Sequence, residues 1–68
     1  MTNTERELLR VITDRATTTA IAVSNTFGGN ASVGINRNIG KELDKLNLPP
    51  AEKVRLFNDA LDMVWGKH

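Results

Sequence analysis

The stretch from residue 16 to residue 36, ATTTAIAVSNTFGGNASVGIN, contains no charged side chain, and this feature most constrains how the chain can fold. All seventeen Lys, Arg, Asp and Glu residues lie in the fifteen residues before it or the thirty-two after it. Its nine Ala, Ile, Val and Phe residues are mixed with Thr, Ser, Asn and Gly, which argues against a membrane-spanning helix. We therefore expect this stretch to contact protein, and we expect that partner to be another copy of the same chain.

A chain of 68 residues is long enough for one small domain, spanning residues 1–68, whose core is marginal on its own. It has no Cys, and its single His is the last residue, so disulfides and Cys or His metal sites are not expected. Additional stability then has to come from a second chain or from very regular helix packing. The first fifteen residues lack the hydrophobic run of a signal peptide, and we expect a cytoplasmic protein with no membrane contact.

The first predicted helix runs over about residues 4–26. Thr4 and Glu7 have the spacing of a capping box, in which each side chain bonds to the backbone of the other residue. Apolar and small residues then recur on one face of the helix through the uncharged stretch: Leu8, Leu9, Ile12, Ala16, Thr19, Ala20, Val23 and Phe27. The alternative is an α+β fold with a hairpin in residues 17–36, because Thr, Ile and Val favour strands. We favour the helix because its apolar face continues without a change of register.

A second helix is predicted over about residues 32–46. Gly28 and Gly29 are typical of a helix end, and Asn30 or Ser32 can cap the next helix. Ile35, Ile39, Leu43 and Leu46 share one face of it. Gly40 in its interior costs about 1 kcal/mol relative to Ala unless another group packs closely there.

A third helix is predicted over about residues 50–65, after the break at Pro49 and Pro50 and before a stop at Gly66. Its apolar residues cover roughly 200° of arc, which indicates that it touches more than one neighbour. They are Val54, Leu56, Phe57, Ala60, Leu61, Met63, Val64 and Trp65. The predicted fold class is therefore all-α, a small domain of three helices.

The small residues of the first helix and the large apolar residues of the third are the predicted interface of a homo-oligomer. A methionine and aromatic cluster at helical spacing is usually core or a subunit contact. The predicted interface consists of Ala16, Ala20, Val23, Phe27, Leu56, Phe57, Leu61, Met63, Val64 and Trp65.

A basic ridge on the second helix, made of Arg37, Lys41 and Lys45 with Asn38 beside it, is a candidate nucleic-acid site. The segment GGNASVGINRNIGKEL resembles the turn and second helix of a helix-turn-helix motif, which implies major-groove contact by these residues. We favour the plain alternative, a solvent-exposed face with charges at i,i+4 spacing. The net charge of +1 is also far from that of a protein that coats nucleic acid.

The loop of Gly28, Gly29 and Asn30, with Ser32 at the start of the next helix, is a candidate anion site because helix N-termini attract phosphate. No Lys, GxGxxG or GKS sequence accompanies it, so a connecting turn is the better interpretation. The sequence offers no nucleophile with a base nearby, and we expect neither an enzyme nor a cofactor. The leading hypothesis is a non-enzymatic helical binding protein that self-associates, with a partner protein the sequence does not identify. A helix-turn-helix regulator and a phosphorylated-ligand binder are the alternatives.

Overall fold

The computed structural model describes residues 2–66 and contains three α-helices in this range. They are α1 (Asn3–Phe27), α2 (Ala31–Asp44) and α3 (Pro50–Trp65). No strand occurs among residues 2–66, so the all-α prediction is confirmed and the hairpin alternative for residues 17–36 is wrong. The β-branched residues of the uncharged stretch are helical because the apolar face of α1 continues through Ala16 and Ala20, both of which are buried.

The predicted capping box of Thr4 and Glu7 is wrong, because the box is made by Thr2 and Glu5, and α1 begins at Asn3, one residue before the predicted start. The Thr2 hydroxyl accepts from the Glu5 amide at 3.0 Å, and the Thr2 amide donates to the Glu5 carboxylate at 3.3 Å. Thr4 and Glu7 have the same spacing, so the pattern alone does not choose between them. Starting at Thr2 adds helical hydrogen bonds, the first from the Arg6 amide to the Thr2 carbonyl at 2.9 Å.

The turn between α1 and α2 is built as predicted. Gly28 ends α1 with a φ of 83°, a value that favours glycine, and its amide donates to the Ser24 carbonyl at 2.8 Å. Asn30 is the N-cap of α2, and its side chain accepts from the Ser32 amide at 2.9 Å. Of the two predicted caps, the structure therefore selects Asn30.

The predicted end of α2 at Leu46 is wrong, because the helix ends at Asp44. Residues 45–47 form a turn in which the Leu46 amide bonds to the Leu43 carbonyl at 3.1 Å, and Asn47 adopts a φ of 54°. Leu46 consequently lies outside the helix and is exposed, while Ile35, Ile39 and Leu43 are buried as predicted. The break before α3 is confirmed, with Pro49 extended and Pro50 in the first turn.

Helices α1 and α2 pack most extensively with each other, and small residues let them approach closely. A Cβ atom added to Gly34 would lie 3.2 Å from the Cβ of Ala20, which is tighter than most Cβ contacts in proteins. One helical turn along α2, the Asn38 side-chain amide donates to the Ala16 carbonyl at 3.2 Å. Ala16 and Ala20 are therefore core residues of this single chain, and the backbone that approaches them belongs to α2.

Helix α3 buries Leu56 and Ala60, which both belong to the predicted apolar arc, while the other predicted apolar residues of the helix are half-buried or exposed. The predicted stripe was too wide to have a defined centre, so the sequence did not fix the rotation of the helix. Phe57, Leu61, Met63 and Val64 are half-buried at the edge of the core, whereas Val54 and Trp65 are exposed. The ring of Phe57 packs over Gly40, with its Cε1 atom 3.8 Å from where a Cβ would stand.

Polar contacts connect α3 to both other helices. Arg55 pairs with Glu5 of α1 at 2.6 Å and with Glu52 and Asp59 of its own helix. The Trp65 indole donates to the Asn36 side chain of α2 at 3.0 Å. The Arg55–Glu5 pair places the first half of α3 beside the start of α1, and the Trp65–Asn36 bond places the end of α3 beside α2.

Candidate binding surface

Residues 21–34 form an open end of the molecule, where none of the fourteen residues is buried. This open end comprises the last two turns of α1, the Gly28-Gly29-Asn30 turn and the first turn of α2. Phe27 has 82% of its surface exposed, Val33 has 52% and Val23 has 49%. The open end thus exposes several large apolar side chains within a stretch that contains no charge.

Phe27 continues the buried face of α1 past the point where the other helices cover it. Seven residues separate Phe27 from Ala20, almost two full turns at about 3.6 residues per turn, so the two residues share one face. Ala20 is buried against α2, whereas nothing in the described chain covers Phe27. The predicted apolar stripe therefore lies along one face of α1, but its last residues, Val23 and Phe27, are exposed on the surface.

A groove of about 480 Å³ runs between α1 and α2 next to the Gly28-Gly29 turn. Ala20, Val23, Val33 and Gly34 supply an apolar lining. The remaining lining residues are polar or belong to the turn: Thr19, Ser24, Gly28, Gly29, Asn30, Arg37, Asn38 and Lys41. The groove therefore brings the predicted basic ridge and the predicted anion loop into one site, a convergence that follows from the antiparallel packing of α1 and α2.

Two cations without an ion-pair partner border the groove. Among residues 2–66, Arg37 and Lys41 both lack a carboxylate within 4.0 Å, and none of the residues that line the groove is acidic. Both side chains are exposed and stand four residues apart on the same face of α2. The groove thus has one cationic wall and one neutral wall.

A second depression of about 220 Å³ extends the groove along α1 and α2, and the two share Thr19, Asn38 and Lys41. Here Glu42 pairs with Arg15 at 3.1 Å and with Lys45 at 3.3 Å. Lys45 is therefore partly neutralised, unlike the other two cations of the predicted ridge.

Asn38 is placed differently from the prediction. It is half-buried, and its amide nitrogen is bonded to the Ala16 carbonyl. A side chain that holds two helices together is not free to reach a base, so Asn38 is a packing residue. Of the four predicted nucleic-acid contacts, Arg37 and Lys41 remain exposed without ion pairs.

Polar groups of the predicted anion loop are already hydrogen-bonded within the turn. Ser24 donates to the Gly29 carbonyl at 3.0 Å, and the Asn30 side chain accepts from the Ser32 amide. Gly28, Gly29 and Asn30 line the groove, whereas Ser32 does not. These contacts are those of a connecting turn.

The predicted interface residues divide into three groups in the structure. Ala16, Ala20 and Leu56 are buried within the chain, and Phe57, Leu61, Met63 and Val64 are half-buried around the core. Val23, Phe27 and Trp65 are exposed and remain available to a second chain. Exposed apolar residues outside the prediction are Leu8, Val11, Ile21, Val33, Leu46 and Val54. The exposure of Val33 could have been predicted from the sequence, because Val33 does not share the helix face of Ile35 and Ile39.

A smaller apolar depression lies between α2 and α3, where Phe57 packs over Gly40. It measures about 360 Å³ and is lined by Gly40, Pro50, Lys53, Val54 and Phe57. Lys53 pairs with Asp44 at its edge, so the charge there is balanced.

Within residues 2–66, no three acidic, His or Cys side chains come together as metal ligands, and no helix has the length and hydropathy to cross a membrane. The terminal His68 lies outside the described residues. Comparison with protein families, curated proteins and solved structures finds no match for this chain. The function is therefore inferred from the geometry of the open end and the groove.

Proposed function

We propose that this chain is a non-enzymatic helical binding protein that self-associates through its open end. The observation that carries the proposal is the exposure of Phe27, 82% of whose surface is free although it continues the buried face of α1. An aromatic ring contributes a large apolar area when a partner covers it. Val23 lies one turn before Phe27, and Val33 is exposed across the turn on α2.

The occupant we propose for this surface is a second copy of the chain. Residues 16–36 carry no charge, so two open ends can meet without placing like charges opposite each other. In a twofold dimer the same patch contacts itself, which suits an uncharged apolar surface. Ten of residues 2–66 are buried, most other apolar side chains in this range are only partly covered, and association would bury more of them.

Analytical ultracentrifugation from micromolar to millimolar concentration tests this function. The parent chain is expected to sediment as a dimer or small oligomer at the upper end, and Phe27→Ser is expected to sediment as a monomer. Phe27 is exposed in the single chain, so the variant should keep its helical circular dichroism.

Val54→Ser is the matched control, because Val54 is 59% exposed on α3, away from the open end. It should associate as the parent does. A parent chain that is monomeric throughout, or loss of association in Val54→Ser but not in Phe27→Ser, would exclude the open end as the interface.

The helix-turn-helix alternative is supported by the two exposed, unpaired cations Arg37 and Lys41. Asn38 and Glu42 count against it, since the first is bonded to α1 and the second places a carboxylate beside the ridge. DNA contact therefore stands as the second candidate function. Binding to duplex DNA that weakens steeply with added salt would be its signature.

A further inference from the structure

We propose that the groove between α1 and α2 binds an acidic amphipathic segment of a different protein. In this arrangement apolar side chains of the segment lie against Val23 and Val33, and its carboxylates face Arg37 and Lys41. This occupant goes beyond self-association, because it uses the charged wall of the groove.

The charge of the groove determines the chemistry of the occupant. Arg37 and Lys41 stand on one wall, no acidic residue lines the groove, and the only carboxylate of the adjoining depression, Glu42, is already shared by Arg15 and Lys45. Residues four apart on a helix are roughly 5–6 Å apart at their Cβ atoms, so carboxylates at the same spacing on a bound helix match them. Opposite charges arranged in this way favour encounter and exclude basic partners.

The apolar lining of the groove favours a peptide over a nucleic acid as the bound partner. Val23, Val33, Ala20 and Gly34 offer carbon surface beside the cations, and no aromatic side chain that could stack on a base lines the groove. An amphipathic helix in a groove uses apolar anchors on one face and charged residues at its border. This combination of carbon surface and cations therefore fits an acidic peptide better than a phosphate backbone.

A second copy of this chain is a poor source of the carboxylates. Six of its eight Asp and Glu residues are already within 4.0 Å of an Arg or Lys of the same chain: Glu5, Glu7, Glu42, Asp44, Glu52 and Asp59. Asp62 also has an interaction partner. The complementary acidic groups are consequently expected on another protein.

Selection from a random peptide display library, with the parent chain as bait, tests the proposal. The enriched peptides are expected to combine Asp and Glu with apolar residues at helical spacing. The best of them, made synthetically and followed by fluorescence anisotropy, should bind Arg37→Glu and Lys41→Glu about tenfold or more weakly than the parent.

Arg6→Glu is the matched control for Arg37→Glu. It makes the same change at another exposed Arg that has no ion pair among the described residues, but outside the groove. This control should bind the peptide as the parent does. No enrichment, enrichment of neutral or basic peptides, or equal loss in Arg6→Glu and Arg37→Glu would overturn the proposal. Salt-sensitive binding of duplex DNA that Arg37→Glu abolishes, without acidic peptide binding, would replace it by the nucleic-acid alternative.

The monomeric variant separates this inference from self-association. Phe27 does not line the groove, so Phe27→Ser should bind the peptide at least as tightly as the parent, while Val23 and Val33 are shared with the proposed dimer contact. If the chain binds the peptide but never self-associates, the groove proposal is supported and the self-association proposal is rejected. Loss of peptide binding in Phe27→Ser would overturn the groove as a separate site.

Discussion

The two ends of α1 carry the same kind of apolar stripe but end up in opposite environments. At the closed end, where all three helices meet, Leu9 and Ile12 are buried together with Ile39, Leu43 and Leu56. At the open end, residues 21–34, the stripe continues through Val23 and Phe27 onto the surface. The difference comes from helix length: α1 has 25 residues, and α2 and α3 have 14 and 16. An amphipathic pattern thus identifies the apolar face of a helix, while the lengths of the neighbouring helices determine how much of that face is buried.

The largest expected effect is on the stability of the closed end. Leu43→Ala removes a fully buried side chain and should lower the free energy of unfolding by about 2–5 kcal/mol. Phe27→Ala, at the open end, removes more atoms but should cost much less in dilute monomeric protein. Urea unfolding of both variants at low concentration measures the contrast. Equal losses would mean that Phe27 is covered within the single chain.

A smaller effect is expected where the two ends join, at Gly34. Its substitution by Ala places two Cβ atoms 3.2 Å apart, and the Ala20 Cβ atom, which has no rotatable bond, can move aside only if the backbone of α1 shifts. Overpacking of this kind typically costs about 1–3 kcal/mol, which exceeds the gain of about 1 kcal/mol from replacing a helical Gly. We therefore expect Gly34→Ala to lower the melting temperature.

Gly40→Ala is the matched control, because the nearest atom, on the Phe57 ring, lies at an ordinary contact distance of 3.8 Å. Here the helix-propensity gain should prevail and raise stability by up to about 1 kcal/mol. Stabilisation by both substitutions would show that α1 and α2 separate easily at Ala20. In that case the contrast between a closed and an open end would be less sharp.

The smallest effect concerns acid sensitivity at the closed end. The hydrogen bond from Arg55 lowers the pKa of the Glu5 carboxyl in the folded chain. Because the folded value is below the unfolded one, the stability it contributes is present above the unfolded pKa, about 4.3, and is lost as the pH falls through the folded pKa. Arg55→Met should therefore show a flatter loss of stability below about pH 4.3 than the parent.

The control for the acid effect is Glu5→Gln, which removes the titrating group itself. Thermal unfolding across the acidic range should give this variant a similarly flat profile, and the double variant should be no flatter than Glu5→Gln. A parent profile that matches all three variants would show that the Glu5–Arg55 contact does not couple the helices to pH.

Local signals in the sequence predicted most of the architecture. The Gly28 end, the Pro49–Pro50 break and the Gly66 stop are confirmed, and of the two predicted caps Asn30 is the one used, because each of these signals acts on the backbone beside it. The errors occurred where local patterns are degenerate. Thr2 and Thr4 offer equivalent capping boxes, and the wide apolar arc of α3 has no unique centre.

The groove could not be predicted from the sequence because it depends on the register between α1 and α2. Arg37 and Gly28 are nine residues apart and belong to different elements, and the packing of α2 on α1, with Gly34 against Ala20, brings both to the same depression. Because of the same packing, Asn38 contacts α1 and does not belong to the exposed ridge. Ala16 and Ala20, which were predicted in an oligomer interface, lie in the core of the chain.

The hydrogen bond from the Asn38 side chain to the Ala16 carbonyl also constrains how α2 is aligned along α1. A slip of α2 along α1 by one turn, about 5.4 Å, would leave that bond unmade and would bring a larger side chain to Ala20 in place of Gly34. Both effects favour one alignment of the two helices, in which the walls of the groove are already apart before anything enters it. A segment bound there would meet a preorganised site, so little conformational entropy of this chain would be lost on binding.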